Sequence, residues 1–115
     1  MEMKIFIMHK DFTAEAELDT SKTAKAIAEK LPIDGEAEVW KEEVYFEIPL
    51  KLPYENQTDK VSEGDICYWP PGNAFCIFFG KSQPVNAVSI IGKVVSGLER
   101  FKEVEEGDDI VLEEG

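Results

Sequence analysis

Residues Gly64–Gly80 read GDICYWPPGNAFCIFFG, two short aromatic and β-branched runs joined by Pro70-Pro71-Gly72-Asn73. The prolines fix φ and the Gly-Asn pair tolerates φ above zero, so the joint is a turn and the flanking runs are the strands of one hairpin. With Pro71-Gly72 at the tip, opposed positions sum to a constant, and Trp69 faces Ala74, Tyr68 faces Phe75 and Cys67 faces Cys76. Successive strand residues point to opposite faces, so Tyr68 and Trp69 do not share one. In a closed sheet that alternation sends roughly half of Tyr68, Trp69, Phe75, Phe78 and Phe79 into the interior. A buried tyrosine or tryptophan needs a polar partner, which places at least one of them at the mouth of a pocket. The opposed cysteines, in a reducing compartment, behave as small buried hydrophobes.

Working outward, Lys4–His9 and Phe12–Leu18 alternate at period two about Lys10-Asp11 and form an opening hairpin. Asp19-Thr20-Ser21 then supplies N-cap oxygens. Ala24, Ile27, Ala28 and Leu31 mark one face of a helix that ends near Leu31-Pro32, with Lys22, Lys25, Glu29 and Lys30 toward water. Glu36–Lys41 and Glu43–Pro49 are two further strands, the second cut off by a proline that cannot donate to a ladder. Leu52–Gly64 is a polar, pattern-free loop of the kind that rims a site. Beyond the aromatic hairpin come a loop over Lys81–Asn86 and a strand over Ala87–Val95 interrupted at Gly92. A short helix over Leu98–Val104, a turn over Glu105–Asp109 and a last strand over Ile110–Glu113 follow. The expected architecture is mostly β: a closed eight-stranded barrel capped by two short helices, one domain over residues 1–115.

With 24 acidic against 12 basic residues, the formal charge of −12 repels phosphate backbones and anionic lipid, which argues against nucleic acid and membrane as partners. No stretch is apolar over the about 18 residues that a membrane span needs. The opening MEMKIFIMHKDF lacks the apolar centre of a secretory signal, so the expected location is cytoplasmic. Cys67 and Cys76 are too few for a disulfide scaffold and lack the four-ligand spacing of a zinc site. His9, the one histidine, reads as a solvent-exposed bystander at a strand end, and Glu42-Glu43, Glu105-Glu106 and Asp108-Asp109 as solvated turn charges. No nucleophile motif, phosphate-binding glycine loop or metal-ligand cluster stands out, and neither a cofactor nor a metal is expected.

The run SIIGKVVSGLERFKEV, Ser89–Val104, resembles the cyclophilin segment in which a hydrophobic pair precedes Gly-Lys-Val, through Gly92-Lys93-Val94, Gly97 and Leu98. Taken with the order of elements, the whole chain resembles the cyclophilin-like fold. Gly64–Gly80 is similar to the Gly-Asp-x-x-Tyr-Trp-Pro-Pro-Gly-x-Ala-x-Cys-x-Phe-Phe-Gly segment of small prokaryotic cyclophilin-like proteins of unknown function. The resemblance implies a barrel with a concave face where cyclophilins bind the proline of a peptide. Cyclophilins carry an essential arginine in a Phe-His-Arg-Val-Ile-Pro strand. The comparable Val44–Pro49 puts Phe46 or, with a one-residue slip, Glu47 at that position. That arginine donates hydrogen bonds as the prolyl amide loses resonance, which neither a phenyl ring nor a carboxylate does. Arg100, the one arginine, lies on the late helix; the family's site histidine falls at Val88, its tryptophan near Gln83, and a phenylalanine at Phe78 or Phe79.

These residues predict a non-catalytic binding module, holding a small molecule or an extended peptide on an aromatic face near Tyr45, Glu47, Tyr68, Trp69 and Phe79. The alternative is a peptidyl-prolyl isomerase with a rebuilt site, and a third reading is an enzyme of other chemistry using Glu47 or Asp65. The sequence assigns neither the ligand nor an oligomeric state.

Overall fold

The computed structural model describes residues 3–115; Met1 and Glu2, which open the first alternating run, lie outside them. Strands β1 (Met3–His9) and β2 (Phe12–Leu18) pair antiparallel, His9 opposite Phe12 and Met3 opposite Leu18, as a turn at Lys10-Asp11 dictates. Period-two patterning puts Ile5, Ile7, Ala14, Ala16 and Leu18 inside. Helix α1 (Lys22–Glu29) follows, its first turn capped by Ser21, whose hydroxyl accepts the Ala24 N–H at 3.1 Å. Thr23, Ala24 and Ile27 are buried, while Lys22, Lys25 and Glu29 meet water.

The strand expected over Glu36–Lys41 is two strands, because the chain changes partner at Ala37. Before it, β3 (Ile33–Glu36) pairs with the last strand; after it, β4 (Glu38–Trp40) pairs with β5 (Glu43–Glu47). Both backbone groups of Ala37 are taken by a turn instead, its N–H by Asp108 O at 2.7 Å and its carbonyl by Gly107 N–H at 2.8 Å. The remaining strands are β6 (Gln57–Thr58), β7 (Asp65–Trp69), β8 (Ala74–Phe78), β9 (Val88–Ser96) and β10 (Asp109–Glu114). They run β3-β10-β1-β2-β9-β7-β8-β5-β4, with β6 beside β9, a ten-stranded sheet among the described residues in place of the expected eight. Near the ends of that path the barrel draws almost shut through Gly35 of β3, where a Cβ would sit 2.5 Å from the Phe46 ring of β5. Glycine is what lets the backbone approach that closely.

The loop expected to rim a site is a strap. Its Glu55 carboxylate accepts the N–H groups of Lys22 and Thr23 and the Thr23 hydroxyl at 2.8–3.2 Å, and its backbone N–H reaches Ser89 Oγ at 2.8 Å. The Thr23 hydrogen bonds hold that carboxyl below the usual range. The late helix, Leu98–Glu103, is 3-10 and buries Phe101 under the barrel. His9 is no exposed bystander: it is buried against Phe12, its Nδ1 accepts the Asp11 N–H, and its Nε2–H donates to Asp108 at 2.8 Å. Asp108 is likewise not a free turn charge, since the Glu105 N–H and then His9 hold its carboxyl low. Phe46, Tyr68, Phe75, Ile66, Ile77 and Ile91 fill the interior without measurable exposure. No described helix is long and apolar enough to cross a membrane.

Candidate functional site

Alternation assigns each residue of β5, β7 and β8 to a face. Val44, Phe46, Ile66, Tyr68, Phe75 and Ile77 point into the barrel, and Glu43, Tyr45, Glu47, Cys67, Trp69, Ala74, Cys76 and Phe78 point out. An outward strand face is ordinarily solvated. Here Val61, Cys67, Ala74, Cys76, Phe78 and Val88 form a second buried cluster, with Tyr45, Trp69 and Ile90 packed against it. Register aligns Tyr45, Cys76, Cys67 and Ile90 in one row across β5, β8, β7 and β9. This part of the sheet therefore buries both faces, as the near-continuous apolar run Ala74–Phe78 requires.

Where that outer layer ends, Trp40, Tyr45 and Trp69 open onto a cleft of about 290 Å³. Pro84, Val85 and Asn86 close one side, and Glu43 and Val88 are its buried lining. Trp69 is extended, as a residue before proline must be, and its ring folds back over the turn. Gly72 makes room for it, since a Cβ there would lie 2.6 Å from the indole. Asn73 then takes the left-handed conformation that ends the turn.

The rim loop Lys81–Asn86 is fixed by two side chains. Glu42, expected to be a solvated turn charge, accepts the Lys81 N–H at 2.9 Å, and its own N–H donates to Ser82 Oγ at 3.1 Å. The Gln83 amide accepts from Val61 N–H at 2.8 Å and donates to Val61 O at 3.0 Å.

Glu43 departs further from the expected turn charge. It faces Trp40 across the two-residue turn and Phe78 on β8, and only 9% of it is exposed. Burial pushes its carboxyl above the usual range, the neighbouring Cys76 thiol opposing the shift. No lysine, arginine or histidine pairs with it among the described residues. The Tyr45 phenol is raised too, by burial first and then by Glu38 and Glu43. The cleft is thus an apolar, aromatic space with one carboxyl, Glu43, in its wall.

Of the residues singled out from the sequence, Tyr45 and Trp69 meet in this cleft. Tyr68 does not: it is wholly inside the barrel, where its O–H donates to Leu50 O at 2.8 Å and accepts from Leu52 N–H at 3.2 Å. Phe79 packs with the interior cluster. Glu47 points outward but lies in a separate depression with Glu36, Glu38 and Glu106. Asp65 accepts the Ser62 N–H at 2.8 Å, a turn contact. Trp40 and Glu43 were not singled out, although residues flanking a two-residue turn share a face and the Glu43, Tyr45, Glu47 alternation names that face. Val88, where the cyclophilin resemblance puts a histidine, does line the cleft. Among the described residues no three His, Cys, Asp or Glu side chains are arranged to hold a metal ion.

A nearly closed antiparallel barrel with two short helices is the architecture of a cyclophilin-like domain. The chain belongs to the cyclophilin-like family, whose model matches residues 1–113. It is similar to the hypothetical protein AF2241 from Archaeoglobus fulgidus, known from a solution structure, with 37% identity over 99% of this chain and 95% of that one and a TM-score of 0.85. It is also similar in fold to McbB, known in complex with tryptophan. That match has 14% identity and a TM-score of 0.81 and covers 96% of this chain and 44% of McbB. No curated protein matches the chain.

Proposed function

We propose that this domain is a non-catalytic binding module, and that its ligand is a small molecule or one projecting side chain of an extended peptide, held in the outer cleft. The observation that carries this reading is the convergence of Trp40, Tyr45 and Trp69 on a cleft of about 290 Å³, near the lower end of small-molecule sites. Rigid aromatic walls give contact area at little entropic cost. Loss of prolyl isomerase chemistry fits the same residues. Phe46 points into the barrel, Glu47 is an exposed carboxylate and Val88 is apolar, so none of the three has a side-chain N–H to offer a twisted amide. McbB is known with bound tryptophan, which makes that amino acid a natural first probe.

Backbone amide shifts of the full chain, recorded against a panel of aromatic, amine and peptide probes, test the reading. The expected result is perturbation confined to residues 40–45, Trp69 and 84–88, with an Ala-Pro test peptide isomerised no faster than by an unrelated protein. Isomerisation at a cyclophilin's rate, abolished by a substitution in the barrel, would overturn it.

A further inference from the structure

We propose that the cleft selects a cation: an organic ammonium group whose charge is met by Glu43 and whose apolar body lies against Trp40, Tyr45 and Trp69. The inference rests on the binding-module reading and adds the chemical class of the ligand. Its first support is Glu43 itself. Buried carboxylates are paired or bonded to strong donors as a rule. This one is nine-tenths buried and lines the cleft, and among the described residues it has no basic partner; the nearby Cys76 thiol, a weak donor, is turned to Ala74 O at 3.8 Å. A ligand ammonium supplies the missing counter-charge.

The second support is the wall. Aromatic faces attract cations through their quadrupole, tryptophan most strongly, and sets of such rings are how quaternary and primary ammonium groups are commonly bound. The Trp40 ring already carries one cation, the Lys41 ammonium, 4.8 Å from the ring centroid. Third, the field around the site is negative. Glu38 and Glu43 act on Tyr45, and the formal charge of −12 draws cations in and keeps anions out. A neutral ligand gains the aromatic walls but supplies no counter-charge to Glu43.

The chain has two tryptophans, and both line the cleft, so its intrinsic fluorescence reports on this site. Full-length protein at neutral pH is titrated with 2-phenylethylamine and phenyltrimethylammonium, with the neutral 2-phenylethanol, and with a short peptide carrying one lysine. The ammonium probes are expected to bind about tenfold or more tighter than 2-phenylethanol, the scale of a cation over aromatic rings beside a carboxylate, to which 2-phenylethylamine adds a charged hydrogen bond that the quaternary probe, having no N–H, cannot donate. The isosteric Glu43→Gln is expected to erase that preference, bringing the amines to the level of 2-phenylethanol on the same variant, with its amide spectrum recorded to show that the fold is kept. Tighter binding by the free amine or by the lysyl peptide supports the proposal in either case and names the source of the ammonium. If 2-phenylethanol binds as well as the amines, or if Glu43→Gln keeps the preference, the cation inference falls and the cleft stands as a neutral site. If no probe moves the tryptophan emission, the inference and the cleft as binding site fall together.

Discussion

At Glu43 a carboxylate lies in surroundings that favour its neutral form, and the consequence can be measured. Its native pKa stands above the unfolded value because of burial, so the folded chain binds the proton more tightly. The destabilisation is absent below the unfolded pKa and grows as pH rises through the native one. Glu43→Gln is therefore expected to raise the melting temperature at pH 7 and to leave it unchanged near pH 4; thermal melts at the two pH values check this. Tyr68, two strands over and on the opposite face, behaves oppositely. Removing its hydroxyl leaves Leu50 O and Leu52 N–H without their partner, so Tyr68→Phe should cost about 1–3 kcal/mol in denaturant unfolding. Cys67 and Cys76 are buried with their thiol pKa values raised, chiefly by burial, so a thiol reagent should label them only as fast as the chain unfolds. Rapid labelling of native protein would contradict that. Side-chain exposure at these residues was half-visible in the sequence. Alternation put Tyr68 and Trp69 on opposite faces, but only the barrel's handedness and closure say which face is inside.

Among the elements, the aromatic hairpin and α1 separate what local sequence fixes from what packing adds. The Ser21 cap is local, and Ser21→Ala should lower stability by about 1 kcal/mol, read by urea unfolding. The second cap on α1, from Glu55 some thirty residues away, has no local signal. In the hairpin, Phe75 fills the interior and Trp69 is half-buried over Gly72. Phe75→Ala should thus cost about 3–5 kcal/mol and Trp69→Ala about 1–2 kcal/mol, the second with loss of probe binding. A Trp69→Ala loss as large as that of Phe75→Ala would make the indole a core residue. The hairpin's register was legible because proline and glycine fix the turn. The strand break at Ala37 was not, because it follows from the Gly107-Asp108 turn taking both of its backbone groups.

For the whole molecule, a formal charge of −12 on a 115-residue chain implies net self-repulsion in the folded state. Added salt screens it, so the melting temperature should rise between about 10 and 200 mM sodium chloride. A flat or falling curve would mean that pairs such as Lys4–Glu15 and Arg100–Glu103 outweigh the repulsion. The sequence by itself determined the mostly β class, the order of the main elements, both hairpin registers and the family resemblance. Period-two alternation, turn residues and caps are short-range signals that survive without tertiary context. Only the tertiary structure decided the cleft. Trp40, Tyr45, Trp69 and Val88 come from four strands, and the rim from a loop tied down by Glu42 and Gln83. Their convergence depends on which strands neighbour one another around the barrel. The burial of Glu43 was hidden for the same reason: a glutamate beside a turn is solvated until a sheet, a second strand's phenylalanine and a distant loop close over it.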